Sequence, residues 1–146
     1  MNDELTYFEK SKLPIIIWFL YALMCASIYL AIWAPLGSGP ALVVTVISIF
    51  GFYYLSLKMQ TIVKIENKVL YANEAKIDLK FIKNVQSLDK DEFKKLNGIA
   101  ADPAAFLATN FWTNTGVKVE LNDKNDPTPY WLISSKRASE LAKLLA

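Results

Sequence analysis

Histidine is absent from this chain of 146 residues, cysteine occurs once, and between Leu13 and Leu57 there is no charged side chain. The first absence removes the commonest general base and metal ligand. The single cysteine, Cys25, lies inside the uncharged stretch behind the bulky Met24, which suits a small apolar filler and not a lipid-anchored site. No Gly-x-Gly-x-x-Gly or Gly-x-Ser-x-Gly run is present to cradle a phosphate or raise a nucleophile. The uncharged stretch also lacks the ionisable residues that mark ion paths and proton relays in membranes, which argues against a two-helix transporter. The chain is therefore expected to have no catalytic, cofactor or metal site.

The uncharged stretch is the strongest signal in the chain. Ala34-Pro35-Leu36-Gly37-Ser38-Gly39-Pro40 divides it into apolar runs at residues 13–33 and 41–57. A bilayer core needs about 20 helical residues, so the pair reads as a transmembrane hairpin. A cleaved signal fits poorly, because its apolar region spans only about 7–15 residues and no second run follows it. Lys10 and Lys12 precede the hairpin, Lys58 and Lys64 follow it, and the connecting loop has no cation. Positive charge stays on the cytoplasmic side, so both termini are expected in the cytoplasm. Trp33, Tyr53 and Tyr54 suit the interfacial belts. Ala22 and Ala26 on the first helix, and Thr45, Ser48 and Gly51 on the second, give small faces for packing within the hairpin or between copies in a homo-oligomer.

Residues 58–146 are of soluble composition and read as one domain, with residues 1–12 as a cytoplasmic N-terminus. Ile62, Val63 and Ile65 lead through Glu66-Asn67-Lys68 to Val69, Leu70 and Tyr71, a β-hairpin pattern. Ile77, Leu79 and Phe81 alternate with polar residues as a half-buried strand, and Ile82, Val85 and Leu88 continue past a bend. Asp89 and Glu92 form a capping box for a short helix ending near Gly98. Asp102-Pro103 signals a second helical start through Ala104, Ala105, Phe106 and Leu107. Strands follow at Val117–Leu121 and Tyr130–Ser134, and Ser135 is expected to cap a final helix with Ala138, Leu141, Ala142 and Leu145 on one face. The fold class is thus an α+β membrane protein: an N-terminal two-helix hairpin, then a small antiparallel β domain of about five strands closed by a C-terminal helix. That arrangement loosely resembles the pleckstrin-homology architecture.

Ala101-Asp102-Pro103-Ala104-Ala105-Phe106-Leu107, Val117–Asp123, and above all Asp126-Pro127-Thr128-Pro129-Tyr130-Trp131-Leu132-Ile133-Ser134 resemble a family of small actinobacterial membrane proteins. That family is catalogued as a domain of unknown function, number three-zero-nine-three. Tyr7-Phe8-Glu9 is similar to its opening, so the resemblance spans essentially the whole chain. It implies an integral plasma-membrane protein with no assigned activity. Where the family tends to carry Arg-Pro before Trp112, this chain has Asn110-Phe111, and it is poorer in arginine around Ser135-Lys136-Arg137.

Asp102, Trp112, Asp126, Tyr130 and Arg137 form the candidate interaction patch, since the family-like motifs converge if their strands are neighbours. Asp102 also reads as a helix cap, and Asp123 and Asp126 as turn formers before Pro127. Tyr130 and Trp131 fall on opposite faces of one strand, so one is expected in the core and the other free or against the membrane or a partner. From Lys58 onward, 14 Lys and Arg face 11 Asp and Glu, a balance suited to anionic lipid and too mild for nucleic-acid binding. The favoured reading is a non-catalytic, membrane-anchored module for a protein partner or lipid head groups. An accessory subunit bound through its hairpin is the alternative, and an enzyme using Asp102, Asp126 and Arg137 ranks last.

Overall fold

The structure is a computed structural model that describes residues 5–122 and 127–146. The chain divides into two compact units, one of Lys12–Gln60 and one assembled from Met1–Ser11 with Thr61–Ala146. The second unit therefore begins earlier than residue 58, because the N-terminal segment supplies its first strand.

That strand, β1 (Leu5–Ser11), leads to two helices, α1 (Ile15–Leu36) and α2 (Ser38–Lys58). Both are longer than their uncharged cores suggested, and the break between them contracts to Gly37 at φ 81°. Pro40 falls in the first turn of α2, where its missing N–H has no intrahelical partner to lose. Pro35 sits in the last turn of α1, which Gly37 closes by donating to the Trp33 carbonyl at 2.9 Å. At 1.5 Å per residue the helices are about 30 Å long, and both are long and apolar enough to cross a membrane.

The α1–α2 seam is aromatic. Tyr21 stacks on Phe52 with centroids 3.8 Å apart, Trp18 meets the same ring edge-on at 5.2 Å, and the Tyr21 hydroxyl donates to the Ser48 carbonyl at 2.6 Å. Cys25 of α1 and Ala41 of α2 are also buried. Of the expected small faces, Thr45 and Ser48 are half-buried, whereas Ala22, Ala26 and Gly51 are exposed, and a Cβ added to Gly51 would meet nothing. Most apolar side chains of both helices likewise lie uncovered.

The other unit contains two four-stranded sheets. The first, in the order β1-β2-β3-β4, is an antiparallel meander with β2 (Thr61–Glu66), β3 (Val69–Ala72) and β4 (Ala75–Asp78). Asn67 and Lys68 both have positive φ, as a tight two-residue hairpin requires. Asn73 also has positive φ, and its Oδ1 accepts from the Ile62 amide at 2.9 Å, lengthening the β2–β3 pairing. The period-two run through Leu79 and Phe81 is not one strand: Leu79–Phe81 forms a 3-10 turn that redirects the chain into β5 (Ile82–Leu88) of the second sheet. The turn keeps both side chains against the core, so it preserves the alternation that mimicked a strand.

The capping box is present. Asp89 Oδ1 accepts from the amides of Asp91 and Glu92, and Glu92 Oε2 accepts from the Asp89 amide, which starts α3 (Lys90–Leu96). Asp102-Pro103 does not start a helix. Asp102 Oδ1 accepts from the Ala104 amide to close a turn, and Phe106–Ala108 becomes β6, where pairing with the sheet outweighs the local helical signal. With β7 (Gly116–Leu121) and β8 (Tyr130–Ser134), the second sheet runs β5-β7-β8-β6, and β6 pairs with β8 in parallel. The described residues thus form eight strands instead of five, and one pair is not antiparallel. α4 (Ala138–Leu145) closes the chain, with Arg137 and not Ser135 at its N-cap position.

One face of each sheet and the inner face of α4 share the main core, in which Ile65, Leu70, Val119, Ile133 and Leu141 are fully enclosed. Side chains of this size each gain about 1.5–3 kcal/mol on burial. The opposite face of the second sheet carries a smaller cluster, where Leu88, Tyr130 and Leu132 meet Phe93 of α3. Consequently β8 is covered on both faces, and Tyr130 and Trp131 are both buried instead of one standing free. Gly116 makes the α3 contact feasible: a Cβ there would lie 2.5 Å from Cε2 of Phe93 and closer still to the Ile133 carbonyl.

Candidate functional site

Alternation along β1 turns Tyr7, Glu9 and Ser11 inward and leaves Phe8 and Lys10 exposed. Those three inward residues organise two polar clusters that tie β1 to distant parts of the chain.

The first cluster centres on Glu9. Its Oε2 accepts from the Tyr7 hydroxyl at 2.5 Å and from Ser135 Oγ at 2.6 Å, while Oε1 accepts from the Lys136 amide at 2.8 Å. Ser135 Oγ in turn accepts from the Arg137 amide at 3.0 Å, which shapes the turn into α4. Arg137 folds back over the Tyr7 ring, 4.6 Å from its centroid, and its Nη2 donates to the Phe8 carbonyl at 2.7 Å. Burial, and then the hydrogen bond to Glu9, push the Tyr7 hydroxyl up to about 12. Both hydroxyl protons are committed to one carboxylate oxygen, and Ser135 is 1% exposed, so the cluster is a clamp between β1 and the β8–α4 turn.

The second cluster centres on Ser11 and Thr61, paired residues of the β1–β2 ladder. Ser11 Oγ accepts from Trp112 Nε1 at 2.9 Å and lies 3.3 Å from Thr113 Oγ1. Asn110 donates from Nδ2 to Thr61 Oγ1 at 3.2 Å, accepts the Thr113 amide on Oδ1 at 2.9 Å, and donates its own amide to Ser134 Oγ at 3.1 Å. Ser11, Thr61, Asn110, Thr113 and Ser134 are all buried, and among the described residues no buried side-chain nitrogen or oxygen lacks a partner. The result is a fixed 110–113 loop, from which Phe111 projects, edge-on to Trp112 at 4.8 Å.

The candidate patch divides between the ends of β8. Asp102 and Tyr130 come together at its start, where the Tyr130 hydroxyl accepts the Asp102 amide at 3.2 Å. Trp112 and Arg137 both attach to β1 at the other end, through Ser11 and Phe8. Asp126, like Asp123, lies outside the described residues. Sequence reasoning missed Glu9, Ser11, Thr61 and Asn110. Tyr7-Phe8-Glu9 stood out as a motif, but nothing in it announces a strand paired with residues beyond the hairpin.

An α+β unit whose first strand precedes a hairpin of two membrane-length apolar helices, and whose other strands follow it, defines the class of protein. The chain belongs to the family described as Protein of unknown function (DUF3093), whose model matches residues 6–145. No curated protein and no solved structure matches it.

Proposed function

We propose that the chain is an integral plasma-membrane protein of the actinobacterial two-helix kind that its motifs resemble. In this reading α1 and α2 span the bilayer, both termini are cytoplasmic, and the strand-rich unit is a non-catalytic module presented to a protein partner or to lipid head groups. The observation that carries the reading is the Ser11–Thr61 pairing, because the segments that enter and leave the hairpin are neighbours in one sheet. A hairpin entered and left at one place begins and ends on one side of a membrane. The lysines at residues 10, 12, 58 and 64, set against a connection without cations, favour the cytoplasm as that side. The hydroxyls and carboxylate around Glu9 are engaged with one another, which supports a scaffold role over catalysis. Reporter fusions at the N-terminus, at Ser38 and after Ala146 test the topology; a periplasmic-type signal from the fusion after Ala146 contradicts it.

A second reading, an accessory subunit held through its hairpin, draws support from Ala22, Ala26 and Gly51, small residues that the α1–α2 seam leaves exposed. Replacing these three by leucine and isolating the full chain in mild detergent separates the readings. Loss of a stoichiometric partner favours the subunit, and retention favours the module.

A further inference from the structure

We propose that the tip of the 110–114 loop and the end of α3 form a secondary membrane contact, in which Phe111 and Ile99 enter the interface of an anionic bilayer beside Lys94 and Lys95. The inference rests on the reading of α1 and α2 as spans. A groove of about 460 Å³ runs between the end of α3 and this loop, with Phe93 among its lining residues and Ile99 and Phe111 as apolar rims. Phe111 is 65% exposed, and Ile99 is fully exposed. Neither is needed to fill a core.

The loop is held close to the points where the chain leaves for the hairpin. Trp112 is bonded to Ser11 and Asn110 to Thr61. Ile15, the first residue of α1, lies four positions beyond Ser11, a reach of at most about 14 Å, and Thr61 lies three positions beyond Lys58, at most about 11 Å. Connectivity alone therefore keeps this loop near any bilayer the helices cross. An exposed aromatic and a branched aliphatic match the composition of interfacial anchors.

Charge selects the lipid. The acids of α3 lie in its first turn, where Asp89 and Glu92 are engaged in the capping box and the exposed Asp91 is the one carboxylate among the groove's lining residues. Lys94 and Lys95 occupy its last turn and line the groove. Lysines within a Debye length of an anionic leaflet are attracted to it.

The test uses the full chain with Cys25→Ala, reconstituted in vesicles of equal parts phosphatidylglycerol and phosphatidylcholine. A polarity-sensitive fluorophore is placed at Phe111→Cys or Ile99→Cys, and at Phe50→Cys in the middle of α2 as a reference. Brominated acyl chains are expected to quench all three labels. Quenching at residues 99 and 111 is expected to fall several-fold in pure phosphatidylcholine and in a Lys94→Glu, Lys95→Glu variant, with residue 50 unchanged. A label at 111 that stays in water, or is shielded from water yet unreachable by the lipid quencher because protein covers it, overturns the proposal while residue 50 still reports a span. Quenching at 111 that is equal in neutral vesicles overturns the assignment to anionic lipid. An unquenched label at residue 50 instead removes the spanning reading itself.

Discussion

Ser11 and Thr61, separated in sequence by the whole apolar hairpin, face each other across the β1–β2 ladder, and each is gripped by the 110–113 loop. The strand-rich unit is thus completed by residues from both sides of the hairpin, and four sets of variants probe how it is held together.

Leu141 and Leu145 bring α4 onto the main core, at 0% and 6% exposure. Truncating either to alanine is expected to cost about 2–5 kcal/mol, a large share of the stability of a small domain. The Leu141→Ala, Leu145→Ala double variant should lose its cooperative melt in detergent. A melt like that of the parent contradicts the assignment of α4 as the closing element.

Gly116 admits the Phe93 ring, so Gly116→Ala should destabilise by about 1–3 kcal/mol or more through overpacking. Phe93→Leu relieves only the ring contact and not the clash with the Ile133 carbonyl. Partial, incomplete recovery of the melting temperature in the double variant is the expected result.

Tyr7 gives a signature at alkaline pH. Folded Tyr7 holds its proton up to about pH 12, whereas an unfolded tyrosine releases it near 10. The folded state binds more protons between those values, so this contribution is complete below about pH 10 and is lost as pH rises toward 12. Tyr7→Phe should be less stable at neutral pH and show a shallower alkaline decline than the parent. Parallel declines in chemical denaturation across that window count against the buried Glu9 cluster.

Arg137 holds the Phe8 carbonyl and covers Tyr7, while Asp102 closes a turn with the Ala104 amide. Asp102→Asn should cost of the order of 1 kcal/mol as a weakened turn, and Arg137→Ala about 1–2 kcal/mol. Comparing thermal stability with partner retention in both variants tests the proposed patch. Retention that only follows stability, with Arg137→Ala showing no separate effect, leaves these residues as scaffold.

Much of this architecture is legible in the sequence because its signals are local. The uncharged run, the Glu66–Val69 turn, the Asp89 capping box, the alternation of Val117, Val119 and Leu121, and the apolar face of α4 each follow from residues close together in the chain. The errors arose where distant partners overrode local preference. Asp102-Pro103 carries a helix-start signal, yet Phe106–Ala108 pairs with β8. Leu79 and Phe81 alternate like a strand while occupying a 3-10 turn. Alternation puts Tyr130 and Trp131 on opposite faces of β8, which separates core from surface only where one face is covered, whereas α3 covers the second. The candidate site was legible only as separate motifs, since the pairing of β1 with β2 depends on closing the chain across the whole hairpin.

That closure is the claim most open to direct test. Lys10 and Ile62 are exposed partners in the β1–β2 ladder, and antiparallel Cα atoms about 4.5–5.5 Å apart suit a disulfide. In the full chain with Cys25→Ala, Lys10→Cys and Ile62→Cys, a protease site inserted at Gly37 allows the hairpin to be cut in isolated membranes after oxidation. The account predicts that the two fragments stay joined until a reductant is added, and that Lys10→Cys alone gives separable fragments. Fragments of the double variant that part without reductant, while both cysteines remain reactive, would contradict it.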